Sequence, residues 1–129
     1  MRHRLDDRPL HLGKGGTAEP QPPMAGMEWY ADYEQRTADD GAEGRLVSQY
    51  RFTEDWDSWE RHPAGEEVVL CLSGRMTLIQ DIDGEVRRTE IGPGEYVVNP
   101  PGVWHTADVD TEATALFITP GKDTEHKGR

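Results

Sequence analysis

Cys71 is the only cysteine among the 129 residues, so no intrachain disulfide can form and a multi-cysteine zinc site is excluded. Basic residues are scarce: 14 Lys and Arg stand against 25 Asp and Glu, for a net charge of -11. A field of that sign repels phosphate backbones, and no Lys/Arg stripe interleaves with aromatics, so nucleic acid is not an expected partner. Long apolar runs are also missing. None approaches the roughly 18 residues that a membrane span needs, and mean hydropathy is -0.83. Met1-Arg2-His3-Arg4 starts basic but leads into no apolar stretch, so no secretory leader is expected and a cytoplasmic address is. With 34% hydrophobic and 30% charged residues, the chain has material for one compact core and a single domain.

Three stretches divide the chain. Residues 1–25 are rich in Arg, Asp, Gly and Pro and close on Glu19-Pro20-Gln21-Pro22-Pro23; this composition predicts a flexible N-terminal arm. Residues 26–121 form the expected barrel domain, and 122–129 a polar, frayed tail. At the start of the domain, the spacing of Met27, Tyr30 and Tyr33 predicts a short helix within Met24–Asp39. From Arg45 onward come short runs rich in β-branched and aromatic residues: 45–53, 67–72, 76–81, 86–91, 96–99, 104–108 and 113–119. Gly, Pro, Asp and Ser separate them, a pattern that predicts an all-β sandwich or barrel. Asp83-Gly84 suits the positive φ angles of a type I′ hairpin.

Two segments carry the chemistry. The first runs from Trp59 through His62, Glu67 and Cys71 to Gly74. The second runs from Gly94 through Pro100, Gly102 and Trp104 to His105. Together they resemble the two motifs of the cupin family, G-x5-H-x-H-x(3,4)-E-x6-G and G-x5-P-x-G-x2-H-x3-N. Four residues separate His62 from Glu67, and six more precede Gly74. Gly94, Pro100, Gly102 and His105 match the second motif up to its last position, which is Val109 in place of Asn. Nineteen residues lie between Gly74 and Gly94. The resemblance implies a jelly-roll β-barrel with a metal held by His62, Glu67 and His105. Glu60 stands where the family has its first histidine, so the donor set here is two histidines and two glutamates.

Imidazole and carboxylate groups suit Fe, Mn, Zn or Ni, and two histidines with one carboxylate form the facial triad of non-haem iron oxygenases. Glu60 and His62, two apart, share a face if their strand is extended. Glu60 is either a fourth metal ligand or a general base beside the ion. Val69 and Cys71 share the parity of Glu67 and are expected, with Trp104, to line the pocket. Cys71 is a small hydrophobe rather than a nucleophile, because nothing near it in sequence lowers its pKa. Met76, Leu78, Phe117 and Ile118 read as core or dimer-interface residues, and Trp56 and Trp59 as core or rim packing. His3, His11 and His126 read as solvent histidines. Three functions fit: a metal-dependent oxygenase or isomerase on a small organic molecule; a non-catalytic module that binds or senses a small ligand or metal; and an association-only barrel with a vestigial site. The family resemblance adds the expectation of a homodimer.

Overall fold

The computed structural model describes all 129 residues. In chain order its elements are β1 (Leu10–Leu12), β2 (Ala18–Pro20), α1 (Glu28–Arg36), β3 (Arg45–Phe52), β4 (Ser58–Arg61), β5 (Glu67–Gly74) and β6 (Met76–Ile82), then β7 (Glu85–Ile91), β8 (Tyr96–Asn99), β9 (Trp104–Asp108), β10 (Ala113–Pro120) and β11 (Glu125–Gly128). Every strand pairing is antiparallel. Two sheets result, ordered β2-β1-β3-β10-β5-β8 and β11-β4-β9-β6-β7, and they form the expected jelly-roll. No helix is long and apolar enough to cross a membrane.

Residue alternation decides what each sheet shows the other. On β5, Glu67, Val69 and Cys71 are buried, while Val68, Leu70 and Leu72 point outward and are more exposed. β10 turns Ala113, Ala115 and Phe117 inward, β6 turns in Met76 and Leu78, and β9 contributes Ala107. These residues, with Ile91 and Val109, pack into one apolar core. The inward row also carries a polar residue at the same end of each strand: Glu67 on β5, Thr119 on β10, Gln80 on β6, His105 on β9 and Asn99 on β8. The barrel interior is therefore graded, apolar in depth and polar at one mouth.

Turn chemistry fixes that register. Asp83 and Gly84 have φ of 54° and 84°, and Ile82 pairs with Glu85 across them, as a two-residue type I′ hairpin requires. At Gly74, φ is 73° and an added Cβ would lie 2.2 Å from the Glu112 carbonyl oxygen. Gly74→Ala is therefore expected to cost about 1–3 kcal/mol. The cost would be read as a lower urea midpoint at unchanged m-value; an unshifted midpoint would show that the turn tolerates a side chain.

Three expectations need correction. The segment 1–25 is not a loose arm, because β1 closes the open edge of β3, with Leu10 opposite Val47 and Leu12 opposite Arg45. Backbone groups on that edge require partners. His11 is accordingly buried rather than a solvent histidine. Its Nδ1 meets the Tyr33 hydroxyl and its Nε2 meets Asp40, both at 2.6 Å. Burial pushes the Tyr33 phenol up to about 12, so it remains protonated and donates to His11. Second, the helix is present but buries Trp29 and Tyr33, with Met27 91% exposed. Trp29 stacks on Tyr33 and donates to the Pro22 carbonyl, which rotates the buried stripe away from Met27 and Tyr30. Third, the tail 122–129 is not frayed: Glu125–Gly128 form β11 on the edge of β4.

Candidate metal centre

Glu60 and His62 come from β4 and the turn after it, Glu67 from the first position of β5, and His105 from β9. Cross-strand register brings them together, since Glu60 lies directly opposite His105 and His105 opposite Gln80. Ligating atoms of Glu60, His62 and His105 all lie within 4.8 Å of one another. Glu67 stands between the histidines, with Oε2 3.2 Å from His62 Nε2 and Oε1 3.1 Å from His105 Nε2. All four sequence-predicted donors thus converge. His62, Glu67 and His105 are buried, and Glu60 is partly so.

A hydrogen bond selects the neutral form of one imidazole and fits the other. His105 Nδ1 lies 3.2 Å from the Val103 carbonyl, which can only accept, so in the neutral ring Nδ1 carries the hydrogen and Nε2 the lone pair. His62 Nδ1 meets the Thr124 hydroxyl at 2.9 Å; when that hydroxyl accepts, Nε2 keeps its lone pair and can ligate. Both Nε2 atoms are buried, and neither has a partner in hydrogen-bonding geometry. Each faces a Glu67 oxygen at 3.2 or 3.1 Å, an ion pair when the imidazole is protonated. Burial by itself would raise the Glu67 carboxyl; the His105 and His62 imidazoles outweigh it and hold the pKa well below the usual carboxylate range. Burial likewise pulls His105 down, but Glu67, then Glu60 and the Val103 carbonyl, leave it raised.

An unpartnered buried nitrogen costs about 1–3 kcal/mol, and two facing an ionised carboxylate make a site that a divalent cation relieves. The residues present therefore fit a metal, with His62, Glu67 and His105 as its donors and Glu60 beside them.

The residues that hold these donors carry no motif signal. Glu67 accepts from Asn99 Nδ2 at 3.0 Å and from the Thr119 hydroxyl at 2.7 Å. Gln80 in turn donates to Asn99 Oδ1 at 2.8 Å. Parity alone would have found Gln80 and Thr119 as polar residues ending otherwise apolar inward rows. His126 is exposed, as expected, and at the same time lies 3.2 Å from Glu60 and lines the cavity.

That cavity has a volume of about 920 Å³ and includes Glu60, His62 and Glu67 in its wall. Tyr50, Phe52, Trp56 and Phe117 form an aromatic side of it, with ring centroids 5.4 to 6.2 Å apart. The expected pocket-lining residues are not part of this wall. Val69 and Cys71 do share the face of Glu67, but they lie deeper, sealed in the apolar core. Trp104 alternates with His105 and so faces outward, beneath Arg61 and Lys127 at 4.6 and 4.5 Å. Parity from the wrong neighbour misled there: adjacency to His105 places Trp104 on the opposite face.

The family model described as Cupin domain matches residues 53–120. Germin-like protein subfamily 1 member 1 of Arabidopsis thaliana is 35% identical over 69 residues, which are 52% of this chain and 31% of that protein; the chain thus spans under a third of that relative. A solved protein from Klebsiella pneumoniae with a double-stranded β-helix domain aligns with TM-score 0.54 at 19% identity, covering 66% of this chain and 76% of that one. Oxalate oxidase in complex with the substrate analogue glycolate aligns with TM-score 0.55 at 16% identity, covering 65% and 45%. At those identities the structural likeness concerns the fold.

Proposed function

The chain belongs to the Cupin domain family, and on that premise we propose that it is a metal-dependent enzyme, an oxygenase or isomerase, acting on a small organic molecule in the barrel cavity. The observation that carries this reading is that Glu60, His62 and Glu67 stand in the wall of a cavity of about 920 Å³, within the size range of small-molecule sites. A purely structural ion would need no such access. A divalent metal there supplies a Lewis acid or, if redox-active, an oxygenase centre. This chain's own residues do the rest. Asn99 and Thr119 hold the Glu67 carboxylate in place, the aromatic side excludes water from the deep wall, and Glu60, half-open to the cavity, is placed to accept a proton from a bound substrate.

Charge narrows the substrate. Glu34, Glu54, Asp55, Asp57, Glu60 and Glu67 line the cavity, against Arg51 as its one Lys or Arg. Arg51 is already paired with Glu112 at 2.8 Å. Even with a divalent ion in place, a dianion such as oxalate meets a repulsive field. A neutral or cationic molecule with a flat apolar part fits the wall better. Elemental analysis of protein purified without added metal tests the reading, with about one iron or manganese per chain expected. Metal-free protein would overturn it. Zinc bound by four protein donors with no open position would favour the non-catalytic binding module instead. A matched series should then rank tyramine and 4-ethylphenol above 4-hydroxyphenylacetate in affinity for the loaded protein, and the reverse order would refute the charge argument.

A further inference from the structure

The family match ends at residue 120, yet the segment beyond it touches His62, one of the three donors, and Glu60 beside them. Pairing of β11 with β4 sets His126 directly opposite Glu60, and Glu60 opposite His105. One cross-strand row, His126, Glu60, His105 and Gln80, therefore runs along the inner face of the five-stranded sheet. Within it His126 Nε2 lies 3.2 Å from Glu60 Oε1, while the other oxygen of Glu60 faces His62 Nε2 at 3.8 Å. Two residues earlier, Thr124 meets His62 Nδ1 at 2.9 Å.

The strand that delivers these contacts is held by almost no burial. All four residues of β11 are exposed. Its fastenings are polar and lie on the outer face: Arg61 bonds Glu125 through two nitrogens at 2.7 and 3.0 Å, and Lys127 sits over the Trp104 ring at 4.5 Å. Arg129 follows with Asp108 at 2.7 Å and the Trp56 carbonyl at 2.9 Å. Exposed ion pairs of this kind contribute little individually and weaken with salt. A strand held so lightly, with its inward side chains spent on Glu60 and His62, has its order linked to whatever those two side chains bind.

We infer that the C-terminal segment Thr124–Gly128 is a clasp for the metal centre. Thr124 fixes the ring of His62 with Nε2 free to ligate, and His126 orients Glu60. Both are positioning residues, and because linkage is reciprocal, metal binding orders the strand as the strand strengthens metal binding. This rests on the metal reading proposed above.

The test uses the 129-residue chain titrated with Mn²⁺ or Zn²⁺, with affinity read by calorimetry and backbone order by amide hydrogen exchange. Outer partners of metal-ligating groups are worth about 10- to 100-fold in affinity. Thr124→Val, which unpins a donor, is expected to weaken binding by that factor, and His126→Ala, which frees the Glu60 carboxylate beside the ion, to weaken it severalfold. Thr124→Ser, which keeps the hydroxyl, should bind as the wild type does. Metal should slow exchange of the Glu125–Gly128 amides in the wild type, and 0.5 M salt should weaken binding more in the wild type than in His126→Ala. If the wild type binds neither ion, the metal reading falls and the clasp with it. If it binds but Thr124→Val and His126→Ala match it within twofold, with exchange at β11 unmoved by metal, the clasp alone is refuted and β11 is only an edge strand.

Discussion

His105→Ala and His62→Ala should each lower metal affinity by roughly 10²- to 10³-fold while the barrel stays folded. The magnitude follows from structural zinc sites, which are worth about 10–16 kcal/mol over four donors. One donor therefore carries about 2.5–4 kcal/mol, and 1.4 kcal/mol is tenfold in affinity. The folded state survives because of how these two side chains are buried. In the metal-free protein each Nε2 is enclosed without a hydrogen-bond partner, a cost of about 1–3 kcal/mol apiece. Removing either ring removes that cost, which offsets part of the packing lost and of the support that the imidazole gives the buried Glu67 carboxylate. Glu67→Ala is the contrasting case. It strands the Asn99 amide and the Thr119 hydroxyl, both of which donate to Glu67, and should destabilise the metal-free chain more than either histidine variant. Equilibrium dialysis against Mn²⁺ or Zn²⁺, with thermal unfolding of the metal-free forms, measures both effects. Full occupancy in His62→Ala or His105→Ala would remove that residue from the donor set.

The donors and the barrel were legible because their signals are local. Gly74, Gly94 and Gly102, all at positive φ, punctuate short runs of β-forming residues, so the strands and the motif residues at their ends could be read from spacing. What failed was whatever depends on a distant partner. Leu10 to Leu12 are too few residues to register as a strand until the open edge of β3 is known, and Glu125 to Gly128 carry no apolar signal at all. His126 is therefore unreadable from its own neighbourhood, since only the register with Glu60 places it at the site. The support around Glu67 was hidden differently. Gln80, Asn99 and Thr119 are ordinary polar residues at strand ends, and only their shared inward parity, at one level of the barrel, shows that they form a ring around the carboxylate. Val69, Cys71 and Trp104 mark the limits of parity. Sharing a face with Glu67 does not give the first two access to the cavity, because the interior is filled one residue below the donors.

That filling supports the second large effect: Leu78→Ala should cost about 2–5 kcal/mol, a substantial part of the roughly 5–15 kcal/mol that holds a domain folded. Leu78 is fully buried at the centre of β6, opposite Ala107 on one side and Thr89 on the other. The alanine opposite cannot expand into the space left, so a cavity remains. Val86→Ala, on the exposed side of the β7 edge at 53% exposure, is the control and should stay within about 0.5 kcal/mol. Urea unfolding at constant m-value separates the two. Leu78 lies one inward step below Gln80, and Ala107 one step below His105, so the void opens directly beneath the donor row. Neighbouring groups couple by about 0.5–3 kcal/mol. Metal should therefore stabilise Leu78→Ala less than it stabilises the wild type, with affinity down by about two- to a hundredfold. Equal stabilisation of both proteins by saturating metal would mean that the apolar floor and the polar mouth are energetically separate, and that the donors are held by their hydrogen bonds alone.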